Sequence, residues 1–131
     1  MPTEMRMLLF SSVLGLCQIL LQAATSTGQR GLKWNASARD GEAKPLTGYA
    51  ARLDRALNNF KETFPLFIAA VLMASALQTY DSLTAIGSQI YFWGRVVYLP
   101  LYAFAIPYVR SLVWSISVFG ILLIFFSVAT S

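Results

Sequence analysis

The sequence predicts an all-α integral membrane protein, an up-down four-helix transmembrane bundle in which residues 1–131 form a single domain. Composition is the first reason: 56% of the residues are hydrophobic and only 12% are charged, about half the charged share of an ordinary soluble domain. So short a chain with so few polar residues cannot cover a soluble core. The second reason is that four stretches approach the roughly 20 apolar residues that a bilayer crossing needs.

The predicted spans follow one another with mostly short connections. The first carries no charged residue, and a polar loop over residues 25–48 follows it. The second has its apolar part from Phe64 to Leu77, but its helical pattern extends back to about Tyr49. Arg95 is the one charged residue of the third span, and Pro107 separates that span from the fourth. The four spans cover about residues 7–24, 49–79, 83–106 and 108–129.

The N-terminal stretch also fits a second interpretation, a cleaved signal peptide. Arg6 would be its basic end, and Ala23 and Ala24 would lie near the cleavage site. Glu4 dilutes that basic end and the apolar run is long, so the sequence favours a membrane span over a leader peptide.

Lysine and arginine set the expected orientation in the membrane. Seven of the ten basic residues lie between Arg30 and Lys61, and Arg110 lies on the same predicted side. Loops rich in basic residues stay in the cytoplasm. We therefore expect a multi-pass protein with the loop 25–48 in the cytoplasm and both termini outside. The expected location is a bacterial inner membrane. The net charge of +4 is explained by this topology, and we expect no nucleic-acid partner.

Absent residue types exclude several kinds of chemistry. The chain has no histidine, which removes an imidazole base and a histidine-ligated metal site. Cys17 is the single cysteine, so there is no internal disulfide and no cysteine-cluster metal site. No glycine-rich phosphate loop occurs. We expect no metal.

Polar residues form a stripe along the start of the second span. Arg52, Arg55, Asn59 and Glu62 are spaced 3, 4 and 3 residues apart, which places them within roughly an 80° arc of a helix. Such a stripe suits a ligand with carboxylates and an amine, because guanidinium groups bind carboxylates in a fork and a carboxylate binds ammonium. The spacing also fits a second interpretation, salt bridges where the helix leaves the membrane. Taken alone, the spacing favours these salt bridges over a ligand site.

The third span carries a second stripe, Tyr91, Arg95, Tyr98 and Tyr102. An arginine inside an apolar span needs a partner, and Glu62 is the predicted one. Tyr91 is interpreted as an interfacial anchor, whereas Tyr98 and Tyr102 favour a site. Arg110, which opens the fourth span, is either a topological anchor or a cation directed at a thiolate or carboxylate.

These residues resemble the MAPEG family, the membrane-associated proteins in eicosanoid and glutathione metabolism. The second-span run from Arg52 to Pro65 is similar to the family's second helix, with arginine, asparagine, glutamate and proline in the same spacing. Gly94 to Tyr102 resembles its third helix and Ile106 to Ser111 the start of its fourth. The resemblance implies a homotrimer that binds glutathione between subunits near the cytoplasmic side.

The resemblance also implies an activity. Family members conjugate glutathione to lipophilic electrophiles, reduce lipid peroxides or isomerise eicosanoid peroxides. The chain is thereby expected to be a glutathione-dependent transferase or peroxidase, with membrane lipid and hydrophobic small molecules as further partners. The resemblance implies Arg55, Asn59, Glu62 and Arg95 as glutathione-binding residues, and the two stripes add Arg52 and Tyr98 to this expected set. The expected catalytic residues are Arg110, which stabilises the thiolate, and Tyr102, which donates a hydrogen bond to the sulfur.

The chain departs from the family pattern at three positions. Leu57 replaces a histidine of several members, Asn58 an arginine and Trp114 a tyrosine. These differences remove contacts to glutathione or to substrate. Two alternatives therefore stay open: a non-catalytic protein that kept the fold and uses the polar stripe to lock its subunits, and a small transporter component. The broken helices or inverted repeats of transporters are not evident beyond Pro100.

Overall fold

The computed structural model describes all 131 residues, and all of its regular structure is helical. Four long helices and one short helix follow each other along the chain. The long helices have between 22 and 29 residues. The elements are α1 (Thr3–Arg30), α2 (Leu32–Ala36), α3 (Gly48–Ala76), α4 (Ser82–Ala103) and α5 (Val109–Thr130).

The loop predicted over residues 25–48 is shorter in the structure. Helix α1 continues past Ala24 to Arg30, and α2 occupies part of the segment interpreted as loop. The backbone remains helical beyond the apolar run, where residues with hydroxyl side chains follow. Thr25 Oγ1, for example, donates a hydrogen bond to the Leu21 carbonyl oxygen one turn back, at 2.9 Å. Gly31 then ends α1 with a φ of +93°, a conformation that glycine adopts without steric cost.

Helix α1 is apolar outside and polar inside. Large apolar side chains such as Leu20 and Leu16 are exposed. The buried face of the helix consists of Glu4, Met7, Ser11, Gly15, Gln18 and Ser26. A protein in water shows the opposite arrangement, whereas helices that pack in lipid bury small and polar residues between them.

Length and composition add to this argument for a membrane location. Thr3–Arg30 and Val109–Thr130 are long and apolar enough to cross a membrane. Helix α3 contains the charged residues of the polar stripe and α4 contains Arg95, so the membrane-spanning character of these two helices stays a prediction from the sequence.

Helices α4 and α5 lie close together because small residues face each other. A Cβ atom on Gly87 would lie 2.5 Å from the carbonyl oxygen of Gly120, and one on Gly120 would lie 2.5 Å from the carbonyl oxygen of Gly87. Gly94 faces Ser117 in the same way, with 2.9 Å to its Cβ. This close approach sets the relative position of α4 and α5.

Tyr91 is a core residue, and its interpretation as an interfacial anchor is wrong. Its side chain is fully buried, and its ring stacks on Phe67 with 4.2 Å between centroids. Its hydroxyl forms a 3.0 Å hydrogen bond with Thr63 Oγ1. A buried tyrosine is stable where its hydroxyl finds such a partner, and Thr63 on α3 supplies it.

Hydrogen bonds between distant residues close one end of the structure. Thr84 Oγ1 donates to Glu4 Oε2 at 2.8 Å, and Ser127 Oγ donates to Asp81 Oδ2 at 2.6 Å. The start of α1, the start of α4 and the end of α5 therefore meet here, and both termini lie at this end. The polar residues of the candidate site lie at the other end of α4.

Candidate functional site

A tight turn between α4 and α5 brings Arg110 back over the end of α4. The chain reverses within Phe104–Tyr108, where Ala105 and Tyr108 have positive φ values of 57° and 49°. Non-glycine residues adopt this conformation only where the surrounding structure imposes it. As a result the Arg110 guanidinium lies 4.6 Å from the centre of the Tyr102 ring.

Arg55 reaches the same tyrosine from α3. Its Nε donates a 3.1 Å hydrogen bond to the Tyr102 hydroxyl oxygen, and its guanidinium lies 5.8 Å from the ring centre. Because the Tyr102 oxygen accepts this hydrogen bond, the proton of the hydroxyl stays available for a ligand. Tyr102 thus has one cation from α3 and another from α5 beside it.

Arg52 ties α3 to the end of α4. Its Nε donates to the Ala103 carbonyl oxygen at 2.7 Å, and its guanidinium lies 4.8 Å from the ring centre of Tyr49. An arginine that binds the last carbonyl groups of a helix satisfies acceptors that have no partner within the helix. Arg52 therefore helps to fix the segment that carries Tyr102.

Arg95 binds Asn59, and the prediction that Glu62 is its partner is wrong. Arg95 Nη1 donates to Asn59 Oδ1 at 2.8 Å, and only 1% of the Arg95 residue surface is exposed. Its guanidinium lies 4.2 Å from the ring centre of Tyr98 and 5.6 Å from that of Phe60. Glu62, one turn further along α3, is exposed instead. Residue spacing places Asn59 and Glu62 on one side of α3, but it does not show how deeply each side chain is buried.

The polar side chains surround two adjacent cavities. The larger has a volume of about 430 Å³. The smaller, of about 130 Å³, lies between the ends of α3, α4 and α5 and is lined by Arg52, Arg55 and the turn after α4. Tyr102 and Arg110 line both. The larger cavity is lined by Asn59, Tyr98, Tyr102, Arg110, Ser111, Trp114 and Ser115.

The structure brings five of the eight predicted site residues to these cavities directly and a sixth, Tyr98, as a buried wall of the larger one. Arg95 lies behind this wall. Glu62 is exposed on α3, and Arg55 is exposed as well although it lines the smaller cavity. The hydrogen bonds from Arg95 to Asn59 and from Arg55 to Tyr102 join the two stripes, and the α3 stripe lies at the edge of the subunit.

Sequence reasoning missed Ala105, which lines the smaller cavity, and Ser115, which lines the larger one. Ser115 Oγ donates to the Ser111 carbonyl oxygen at 3.0 Å, one helical turn back. Ser115 shares one helix face with Arg110, Ser111 and Trp114 because of their spacing. That spacing was the sequence signal from which Ser115 could have been predicted.

The three departures from the family pattern lie in different places. Trp114 lines the larger cavity. Leu57 is 5% exposed and lines a separate apolar groove of about 370 Å³ between α1 and α3. Asn58 is exposed. Within one subunit, only Trp114 therefore changes the wall of the cavity that contains Arg110 and Tyr102.

A model of the MAPEG family matches residues 7–130 of the chain. The protein belongs to the MAPEG family. No curated protein and no solved structure matches the chain. Members of the MAPEG family are membrane-associated and generally use glutathione. Family membership and the two apolar helices together support a membrane location for this MAPEG protein. At the level of the family, membership supports a membrane protein of the glutathione-transferase and eicosanoid-metabolism type.

Proposed function

We propose that this MAPEG protein is a glutathione-dependent transferase or peroxidase that acts on lipophilic electrophiles taken from the bilayer. The observation that carries this proposal is the position of Tyr102 between two arginines. Arg55 donates to its hydroxyl at 3.1 Å, and the Arg110 guanidinium lies 4.6 Å from its ring centre. A site of this kind favours an anion that accepts hydrogen bonds.

The donors at the larger cavity match the acceptors of glutathione. Tyr102 offers its hydroxyl proton, Arg110 its guanidinium, and Asn59 the amide nitrogen that faces away from Arg95. Glutathione carries two carboxylates, two peptide carbonyls and a thiol. In our proposal Arg55, Asn59 and Glu62 hold the tripeptide, with Arg52, Arg95 and Tyr98 supporting them, while Arg110 and Tyr102 address the sulfur.

The proposed reaction uses the thiolate as nucleophile. A free thiol has a pKa of about 8.5, and a nearby cation lowers it. Arg110 would stabilise the thiolate while the thiol proton leaves to solvent. The sulfur then attacks the electrophilic carbon, so that a C–S bond forms and the bond to the leaving group breaks with its electron pair. Tyr102 would keep the sulfur in place through its hydroxyl proton.

The proposed setting is a single four-span domain over residues 1–131 in a bacterial inner membrane. Residues 37–47 between α2 and α3 would then lie in the cytoplasm, and both termini outside. We propose that a neighbouring subunit covers Arg55 and Glu62, which are exposed in one subunit, and completes the glutathione site. The proposed number of three subunits rests on the family resemblance. A native mass in detergent equal to one subunit at every concentration would contradict the trimer.

Steady-state kinetics with a generic aromatic electrophile test the proposed function. Arg110→Ala should lower turnover at saturating glutathione by roughly 10²-fold, because it removes a preorganised cation at the reacting sulfur. Arg55→Ala should mainly raise the glutathione concentration needed for half-maximal rate, because in our proposal Arg55 holds the tripeptide and reaches the sulfur only through the Tyr102 hydroxyl. Arg6→Ala, an exposed arginine at the opposite end, is the matched control.

The outcomes separate the candidate functions. Unchanged turnover in Arg110→Ala would remove this residue from the mechanism. A parent protein without activity and without glutathione binding would favour the non-catalytic alternative, in which the arginines serve the assembly of the protein alone.

A further inference from the structure

Arg95 is a buried charge whose protein partners are few. Its Nη1 donates to Asn59 Oδ1, and its Nε is buried without a hydrogen-bond partner. Two aromatic rings, those of Tyr98 and Phe60, lie against the guanidinium. Burying a cation with an unsatisfied N–H group costs free energy. The question is therefore what the single hydrogen bond to Asn59 contributes in return.

That hydrogen bond fixes which end of the Asn59 amide faces the cavity. A carboxamide has an accepting oxygen at one end and a donating NH₂ group at the other. Arg95 has only donors, so it can hold the oxygen and never the nitrogen. Asn59 lines the larger cavity, and its amide nitrogen has no partner within the subunit. The NH₂ group is therefore left for the cavity.

We infer that Arg95 is a positioning residue that makes Asn59 a hydrogen-bond donor, and so restricts this subsite to an accepting group such as a carboxylate or peptide carbonyl. This inference rests on the proposed function, since it takes glutathione as the ligand. It differs from a direct binding role for Arg95, because Arg95 does not line the cavity and acts through Asn59.

A double-mutant cycle between the two residues tests the inference, with glutathione affinity measured by isothermal titration on the detergent-solubilised protein. Asn59→Ala removes the donor and should weaken binding by roughly 5- to 10-fold, the usual effect of one hydrogen bond. Arg95→Met frees the amide and should weaken binding by up to the same factor. The Arg95→Met/Asn59→Ala double variant should bind no more weakly than Asn59→Ala alone, because Arg95 then has nothing to position.

Two further variants separate positioning from a merely structural role. Asn59→Asp keeps an oxygen for Arg95 but replaces the donor by an acceptor. It should lose glutathione binding at least as strongly as Asn59→Ala while its thermal unfolding midpoint stays at or above that of the parent. Arg95→Lys keeps a donor for the Asn59 oxygen and should bind more tightly than Arg95→Met.

Several results would overturn the inference. Additive losses in the double variant would mean that Arg95 contacts the ligand independently of Asn59. Parent-like affinity of Asn59→Asp would mean that no donor is used at this position. Parent-like affinity of Arg95→Met with a lowered unfolding midpoint would leave Arg95 with a structural role only. A parent protein that binds no glutathione would instead overturn the proposed function, and with it the ligand assumed here.

Discussion

The hydroxyl of Tyr102 accepts a hydrogen bond from Arg55 Nε across the gap between α4 and α3, at 3.1 Å. This contact joins residues 47 positions apart and orients the phenol so that its proton is directed away from Arg55. The ring of the same tyrosine lies under the Arg110 guanidinium. Tyr102 is thus the point where the two arginines of the proposed site meet.

Removing the Tyr102 hydroxyl should impair catalysis without loss of the fold. Tyr102→Phe keeps the ring that packs against Arg110 but loses the proposed donor to sulfur and the acceptor for Arg55. We expect turnover to fall by roughly 10- to 100-fold, as for the loss of one preorganised donor. Tyr108→Phe is the matched control, since Tyr108 is 88% exposed. Equal turnover in both variants would show that the Tyr102 hydroxyl takes no part in the reaction.

The Asp81 carboxylate should make stability depend on pH in the acidic range. The Ser127 hydroxyl and the Thr84 backbone N–H hold the pKa of Asp81 below its ordinary value of 3.8. A lowered folded-state pKa stabilises the fold above pH 3.8, and this contribution is lost as the pH falls through the lower folded-state value.

Asp81→Asn should therefore lower the thermal unfolding midpoint at pH 7, and its difference from the parent should vanish in strong acid. Ser127→Ala removes the strongest donor and should move the acid loss of stability toward pH 3.8. Asp40→Asn, at an exposed loop residue, serves as control. Parallel midpoint curves for Asp81→Asn and the parent from pH 7 to pH 2.5 would refute this prediction.

The contact between α4 and α5 should tolerate no added methyl group. Gly120→Ala places a Cβ 2.5 Å from the carbonyl oxygen of Gly87, a backbone atom that can move only with its helix. We expect a loss of about 1–3 kcal/mol in the free energy of unfolding. Gly28→Ala adds the same methyl group to α1 where no atom lies within 4 Å, and it should be neutral or slightly stabilising. Similar midpoints for the two variants would contradict the tight packing.

Both termini should lie on the same side of the membrane. In the structure Glu4 near the N-terminus and Ser127 near the C-terminus bond to residues at the start of α4. The distribution of basic residues predicts that this end lies outside. Topology reporters fused to either terminus should give the outer signal. A cytoplasmic signal from the C-terminus would mean an odd number of spans or a misleading charge bias.

Residue spacing predicts a large part of this structure. The 3.6-residue period of a helix is enough to group the polar residues of α3 on one face and those of α4 on another. The all-helical fold and the family are confirmed. The predicted bounds of the third and fourth spans agree within a few residues with those of α4 and α5. The reason is that Asp81 caps the start of α4 and the turn at Pro107 precedes α5.

Contacts that depend on the depth of a side chain could not be predicted in this way. Arg95 binds Asn59 rather than Glu62 because the tilt and height of α4 against α3 decide which turn it meets. The bond between Glu4 and Thr84 joins residues 80 positions apart, and nothing local in either segment indicates it. The extension of α1 to Arg30 was missed because polar residues at the end of a helix look like a loop in composition.

The most direct test of the central claim is equilibrium binding of glutathione to the purified protein in detergent. If Arg55 and Arg110 form an anion site around Tyr102, the parent protein should bind glutathione saturably. Arg55→Ala should then weaken this binding by about 10-fold or more, whereas Arg6→Ala should leave it unchanged. Equal affinity of the parent and Arg55→Ala, or no saturable binding by the parent at millimolar glutathione, would contradict the proposed site.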